Sequence, residues 1–95
     1  MGRFDDKVAI VTGAGQGMGY AVAHNLAAGG ARLVVNDLNF DTAETTTSHL
    51  QSIGAEAIAV QADVTDSNAV KKLVEQATNW FGPVHILVNS AGILY

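Results

Sequence analysis

Eight residues near the start of the chain, Thr12-Gly13-Ala14-Gly15-Gln16-Gly17-Met18-Gly19, have the types and spacing to hold a diphosphate. They follow the apolar run Val8-Ala9-Ile10-Val11 and open an alanine-rich stretch of helical character. A strand that turns through glycines into a helix leaves main-chain N–H groups unpaired in the first helical turn, and the helix dipole adds partial positive charge there. Glycine is needed because a Cβ would keep the backbone from closing on the phosphates. The spacing excludes a Walker A loop, since neither Gly13 nor Gly15 has a glycine five residues on. The same two positions, Met18 and Tyr20, break the six-residue G-x-G-x-x-G pattern. What the residues match is TGxxxGxG, through Thr12, Gly13, Gly17 and Gly19.

Asp37 is the second residue with chemistry to offer. It closes Leu33-Val34-Val35-Asn36-Asp37, about 20 residues beyond the glycines, where an acidic side chain can accept hydrogen bonds from adenosine ribose hydroxyls. Aspartate is also a common turn residue at strand ends, and it is the glycine loop upstream that favours the ligand role. A carboxylate here repels a ribose 2′-phosphate: two unit charges 4 Å apart cost about 1 kcal/mol in water and about 4 at an effective dielectric near 20. Gln16 in the loop and Leu38 after Asp37 supply no cation to offset that. NAD is therefore expected over NADP.

These residues must be positioned by the elements around them, and the chain alternates strand and helix throughout. Mostly apolar runs predict strands near 7–12, 32–36, 56–61 and 84–89, each buried on both faces as in a parallel sheet. Helical spacing places Met18, Ala21, Val22 and Leu26 on one face over 18–29, ending at Gly29-Gly30. A second helix over 40–53 carries Phe40, Ala43, Leu50 and Ile53, although Thr45-Thr46-Thr47 is poor helix-forming sequence. The third, over 67–81, has Val70, Leu73, Val74, Ala77 and Phe81 on one stripe and stops at Gly82-Pro83. Right-handed crossovers turn this order into an α/β, doubly wound parallel sheet of strand order 3-2-1-4, with the glycine loop at its switch point.

The TGxxxGxG loop resembles the cofactor loop of the short-chain dehydrogenases/reductases, and two further segments extend the resemblance. Asp63-Val64 looks like that family's acidic-apolar pair, which implies that the carboxylate contacts the adenine amino group; a turn or cap before Thr65-Asp66-Ser67 is the other reading. Gly82-Pro83-Val84-His85-Ile86-Leu87-Val88-Asn89-Ser90-Ala91-Gly92-Ile93 is similar to the family's GxhDhhhNNAGh segment, h being apolar. Here His85 stands for Asp, which leaves open a local hydrogen bond that steadies the fourth strand, and Ser90 stands for the second Asn. The resemblance implies that Asn89 braces the central sheet and that Ala91 and Gly92 let the cofactor approach the backbone. The implied cofactor site is thus Thr12, Gly13, Gly15, Gln16, Gly17, Met18, Gly19, Asp37, Leu38, Asp63, Val64, Asn89, Ala91 and Gly92, within a Rossmann-type domain of which residues 1–95 form the N-terminal part.

Composition bounds the remaining possibilities. A 95-residue chain with 48% hydrophobic and 15% charged residues is globular, and its net charge of −4 offers no basic footprint for nucleic acid. The chain has no cysteine, hence no disulfide framework or thiolate metal site. Met1-Gly2-Arg3-Phe4-Asp5-Asp6-Lys7 has no apolar leader core, and no run approaches the roughly 20 apolar residues of a membrane span. A soluble, cytoplasmic protein is expected. His24, His49 and His85 are too scattered for a sequence-local metal site and read as helix surface or strand edge.

Family members that act as dehydrogenases use a serine and a Y-x-x-x-K pair, whose lysine tunes the tyrosine as general acid or base. Neither Tyr20 nor Tyr95 has lysine four residues on, so no catalytic residue is assigned within the chain. The expectation is an NAD-dependent oxidoreductase acting on an alcohol or ketone in the complete protein, with the fifth and sixth strands missing here. The fourth strand then becomes an apolar edge prone to self-association. The alternatives are a free-standing nucleotide-binding or regulatory module, and an S-adenosylmethionine-dependent methyltransferase whose G-x-G-x-G loop Gly13, Gly15 and Gly17 would match.

Overall fold

The computed structural model describes residues 2–14 and 17–89. Each apolar run becomes a strand and each periodic stretch a helix: β1 (Val8–Thr12), α1 (Gly17–Ala28), β2 (Arg32–Asp37), α2 (Phe40–Ser52), β3 (Ala57–Gln61), α3 (Ser67–Phe81) and β4 (Ile86–Asn89). All ladders are parallel and the sheet order is β3-β2-β1-β4. Ile10 lies level with Val34 and Leu87, and Thr12 with Asn89. The chain steps outward from β1 through β2 to β3, then returns to lay β4 on the other side of β1. That reversal opens the crevice at the carboxyl end of β1, as the order 3-2-1-4 requires.

Strand alternation divides the core into two layers. Ala9, Val11, Leu33 and Val35 pack with Ala23, Leu26 and Ala27 of α1 and with Ala43 and Leu50 of α2. Ile10 and Val34 face the opposite way, onto Leu73 and Ala77 of α3. Four of the five residues of the expected α3 stripe pack here, with Val74 and Phe81 at its margin, while Val70 is half-buried outside the cluster; Asp66 caps the helix by accepting from Asn68 N–H.

Three sequence expectations need correction. The inner face of α1 is Gly19, Ala23, Leu26 and Ala27, whereas Met18 is 78% exposed and Ala21 is also outside. Of the four residues expected inside, Leu26 is buried and Val22 packs against the core, and the remainder of the inner face is made by the small residues Gly19, Ala23 and Ala27. On α2 the buried residues are Ala43, Thr46, Thr47 and Leu50, while Phe40 and Ile53 at its ends are exposed. The threonines are accommodated because the Thr45 hydroxyl donates to the Asp41 carbonyl and the Thr46 hydroxyl to the Ala14 carbonyl, and Asn39 caps the helix. Finally, β1 is buried throughout but β3 and β4 are only partly so, and Leu87 is 57% exposed. Both strands lie at edges of the described sheet, where a single helix, α3, covers one face.

Candidate cofactor-binding site

The glycine turn leaves β1 at its carboxyl end. Gly13 and Gly17 have φ of 62° and 63°, the left-handed region that a side chain disfavours. A Cβ on Gly17 would meet nothing within 4 Å among the described residues, so its backbone conformation, not crowding, calls for glycine. Between them Ala14 is fully buried, with its N–H donating to the Asn36 carbonyl (3.0 Å) and its carbonyl accepting from the Thr46 hydroxyl (3.3 Å). The N-terminus of α1 begins at Gly17, and the first turn of a helix carries N–H groups without intrahelical partners and the positive end of the dipole. Gly19 is buried on the inner face of α1, and exposed Met18 flanks the turn. Gly15 and Gln16 lie outside the described residues, as do Ala91 and Gly92.

Because the sheet is parallel, Thr12, Asp37, Gln61 and Asn89 end their strands along one edge. The Thr12 hydroxyl lies 3.0 Å from Asn89 Oδ1 and 3.3 Å from the Val88 carbonyl; its single proton can serve the shorter contact, tying β1 to β4 at the crevice. Asp37 is half-buried, and its Oδ1 accepts from Asn39 N–H at 3.1 Å. Beside it lies an open hollow of about 580 Å³ lined by Asp37, Leu38, Asn39, Phe40, Asp41 and Gln61. Leu38 is 65% exposed at its mouth, and the lining holds two carboxylates and no cation.

Asp63 follows β3 and is fully exposed. Its Oδ1 accepts from the Thr65 hydroxyl (2.6 Å) and the Thr65 N–H (2.9 Å). These bonds, the hydroxyl first, hold its carboxyl below the ordinary value of 3.8, against a small desolvation effect. Asp63 thus forms a turn, while capping of α3 falls to Asp66. Val64 packs at the edge of the α3-side core.

The histidines lie where their sequence reading places them, His24 and His49 on helices and His85 just before the edge strand β4. The rings of His24 and His49 come within 5.8 Å, with Tyr20 5.7 Å from His49, bridging α1 and α2. Among the described residues no group of three or more His, Cys, Asp or Glu is placed to hold a metal, and no helix is long and apolar enough to cross a membrane. His85 does supply the acceptor that its replacement of Asp left open: its Nδ1 accepts from Val8 N–H at 3.1 Å, and its own N–H donates to the Val8 carbonyl at 2.9 Å. Sequence reasoning missed Asn36 and Thr46. The only signal was a polar residue within each element at a position its period assigns to the core.

Comparison with known proteins accords with this geometry. A family model described as short chain dehydrogenase matches residues 7–95. Versicolorin reductase stcU of Emericella nidulans is 47% identical over 97% of this chain and 35% of its own length. The 7alpha-hydroxysteroid dehydrogenase of Escherichia coli K12 is 41% identical over 95% of this chain and 35% of its own. A crystal structure of a short chain dehydrogenase from Mycobacterium avium superposes on the whole chain with TM-score 0.93 at 39% identity, using 36% of that protein. The chain therefore spans about a third of the length of the relatives it matches.

Proposed function

The chain belongs to the short chain dehydrogenase family, and we propose that it forms the NAD-binding portion of an oxidoreductase acting on an alcohol or ketone. The observation that carries this reading is the placement of Asp37 at the carboxyl edge, joined to the glycine turn through the bond between Asn36 and Ala14. In this reading the turn Thr12–Gly19 and the N-terminus of α1 hold the diphosphate, with Gly15, Gln16 and Met18 alongside. Asp37 accepts the ribose hydroxyls, and Leu38, Asp63 and Val64 border the adenine. Asn89, Ala91 and Gly92 flank the path toward the nicotinamide. Supporting NAD over NADP, the hollow beside Asp37 also carries Asp41 and no lysine, arginine or histidine.

Bound NAD supplies a carbon that accepts hydride from a carbinol. The residues of this segment orient it and exclude one competitor, the 2′-phosphorylated cofactor. Moving the hydroxyl proton is assigned to a serine and a Y-x-x-x-K pair of the complete protein, on the resemblance described above. Family membership disfavours the methyltransferase alternative. A cytoplasmic setting and a small alcohol or carbonyl substrate complete the proposal.

The test is turnover by the complete protein with a panel of alcohols that includes a hydroxysteroid. NAD should be reduced and NADP should serve poorly. Binding of NAD without turnover on any alcohol or ketone would favour a nucleotide-binding module instead.

A further inference from the structure

We infer that Asn36 and Thr46 are positioning residues that clamp the phosphate-binding turn from beneath and fix Asp37 relative to it. The inference rests on the cofactor reading above, and it concerns side chains that lie behind the ligand surface.

Asn36 is 1% exposed and lies within β2, where its neighbours Leu33, Val34 and Val35 are apolar. A buried amide is costly unless its donors are paired. Asn36 Nδ2 donates to the Val60 carbonyl (3.0 Å) and the Ala62 carbonyl (3.3 Å). Both partners are acceptors only, which fixes the orientation of the amide. Its main-chain carbonyl meanwhile accepts from Ala14 N–H (3.0 Å). One residue thus joins the glycine turn after β1, its own strand end and the segment leading from β3 to Asp63. Asp37 and Asp63 are the next residues along two of those chains, so their separation across the crevice is set by Asn36.

Thr46 closes the arrangement from α2. It is 3% exposed, and its hydroxyl reaches the Ala14 carbonyl at 3.3 Å. Ala14 therefore has both main-chain polar groups committed to the protein interior, one to β2 and one to α2. Its N–H is not offered to a ligand, and phosphate donors must come from residues nearer α1. With Ala14 anchored on two sides, the start of the turn is fixed before a ligand arrives, which lowers the ordering cost of binding.

The experiment compares the complete protein with Thr46→Val, which preserves volume and removes the hydroxyl, and with Thr46→Ser, which restores it. Thr46→Val should weaken NAD binding by about 3- to 10-fold, and Thr46→Ser should return it close to the unmutated affinity. In the free protein, amide exchange should accelerate in the turn around Ala14 while remaining unchanged in α3, a local signature that general destabilisation would not give. Asn36→Ala should weaken binding further and also accelerate exchange at the end of β3. If the unmutated protein and Thr46→Val bind NAD equally and exchange alike in the turn, this inference falls and the cofactor reading stands. If the unmutated protein binds neither NAD nor NADP, the cofactor reading falls and takes the inference with it.

Discussion

The carboxylates that end β2 and follow β3 each serve their own turn: Asp37 accepts from Asn39 N–H, and Asp63 accepts from the hydroxyl and N–H of Thr65. Turn and ligand roles do not exclude each other, because an ionised carboxylate has about four acceptor sites. The turn fixes one oxygen and thereby aims the group. For Asp63 this has a pH consequence. Its folded-state value is lowered from 3.8 by the Thr65 hydroxyl and then by the Thr65 N–H, so the stabilisation is present above the unfolded value and is lost as pH falls through the lower folded one. Thr65→Val should raise the Asp63 titration midpoint toward 3.8, followed by NMR of its carboxyl carbon. The stability difference between the two proteins should vanish once both carboxyls are protonated. An unshifted midpoint would show that the hydroxyl bond does not hold the carboxylate.

At the scale of elements, β4 is held to β1 at both ends by side chains as well as by the ladder: His85 with Val8 at the start, Thr12 with Asn89 at the crevice. The His85 bond requires an unprotonated Nδ1, so the neutral ring carries its proton on Nε2. His85→Phe should cost about 1 kcal/mol of unfolding free energy, and His85→Asp, which restores an acceptor, should cost less. Denaturant unfolding of the complete protein decides it, and equal stability of His85→Phe would contradict the bracing role. Most of this architecture was legible in sequence. Four apolar runs and three periodic stretches gave the strand order, because parallel strands need long crossovers and crossovers take one hand. The inner face of α1 was legible only in part: Leu26 and Val22 mark it, whereas Gly19, Ala23 and Ala27 carry too little bulk to do so. Asn36 and Thr46 were not legible, because their partners lie on other elements and become visible only once register is known.

At the scale of the whole molecule, the described sheet has an uneven finish. Parallel sheets are ordinarily covered on both faces, yet Leu87 on β4 is 57% exposed level with buried Ile10, and Trp80 on α3 is 67% exposed. An apolar edge strand pairs readily with other chains. The 95-residue polypeptide on its own should therefore self-associate in sedimentation at micromolar concentration. A monodisperse monomer with well-dispersed amide resonances would contradict this.

The central claim is that the edge formed by the glycine turn and Asp37 selects NAD. Calorimetric titration of the complete protein with NAD and NADP tests it most directly. The account predicts tighter binding of NAD by about 1 to 4 kcal/mol, or roughly 5- to 1,000-fold, and a narrower gap in Asp37→Ser. Equal affinities in the unmutated protein, or tighter binding of NADP, would contradict it.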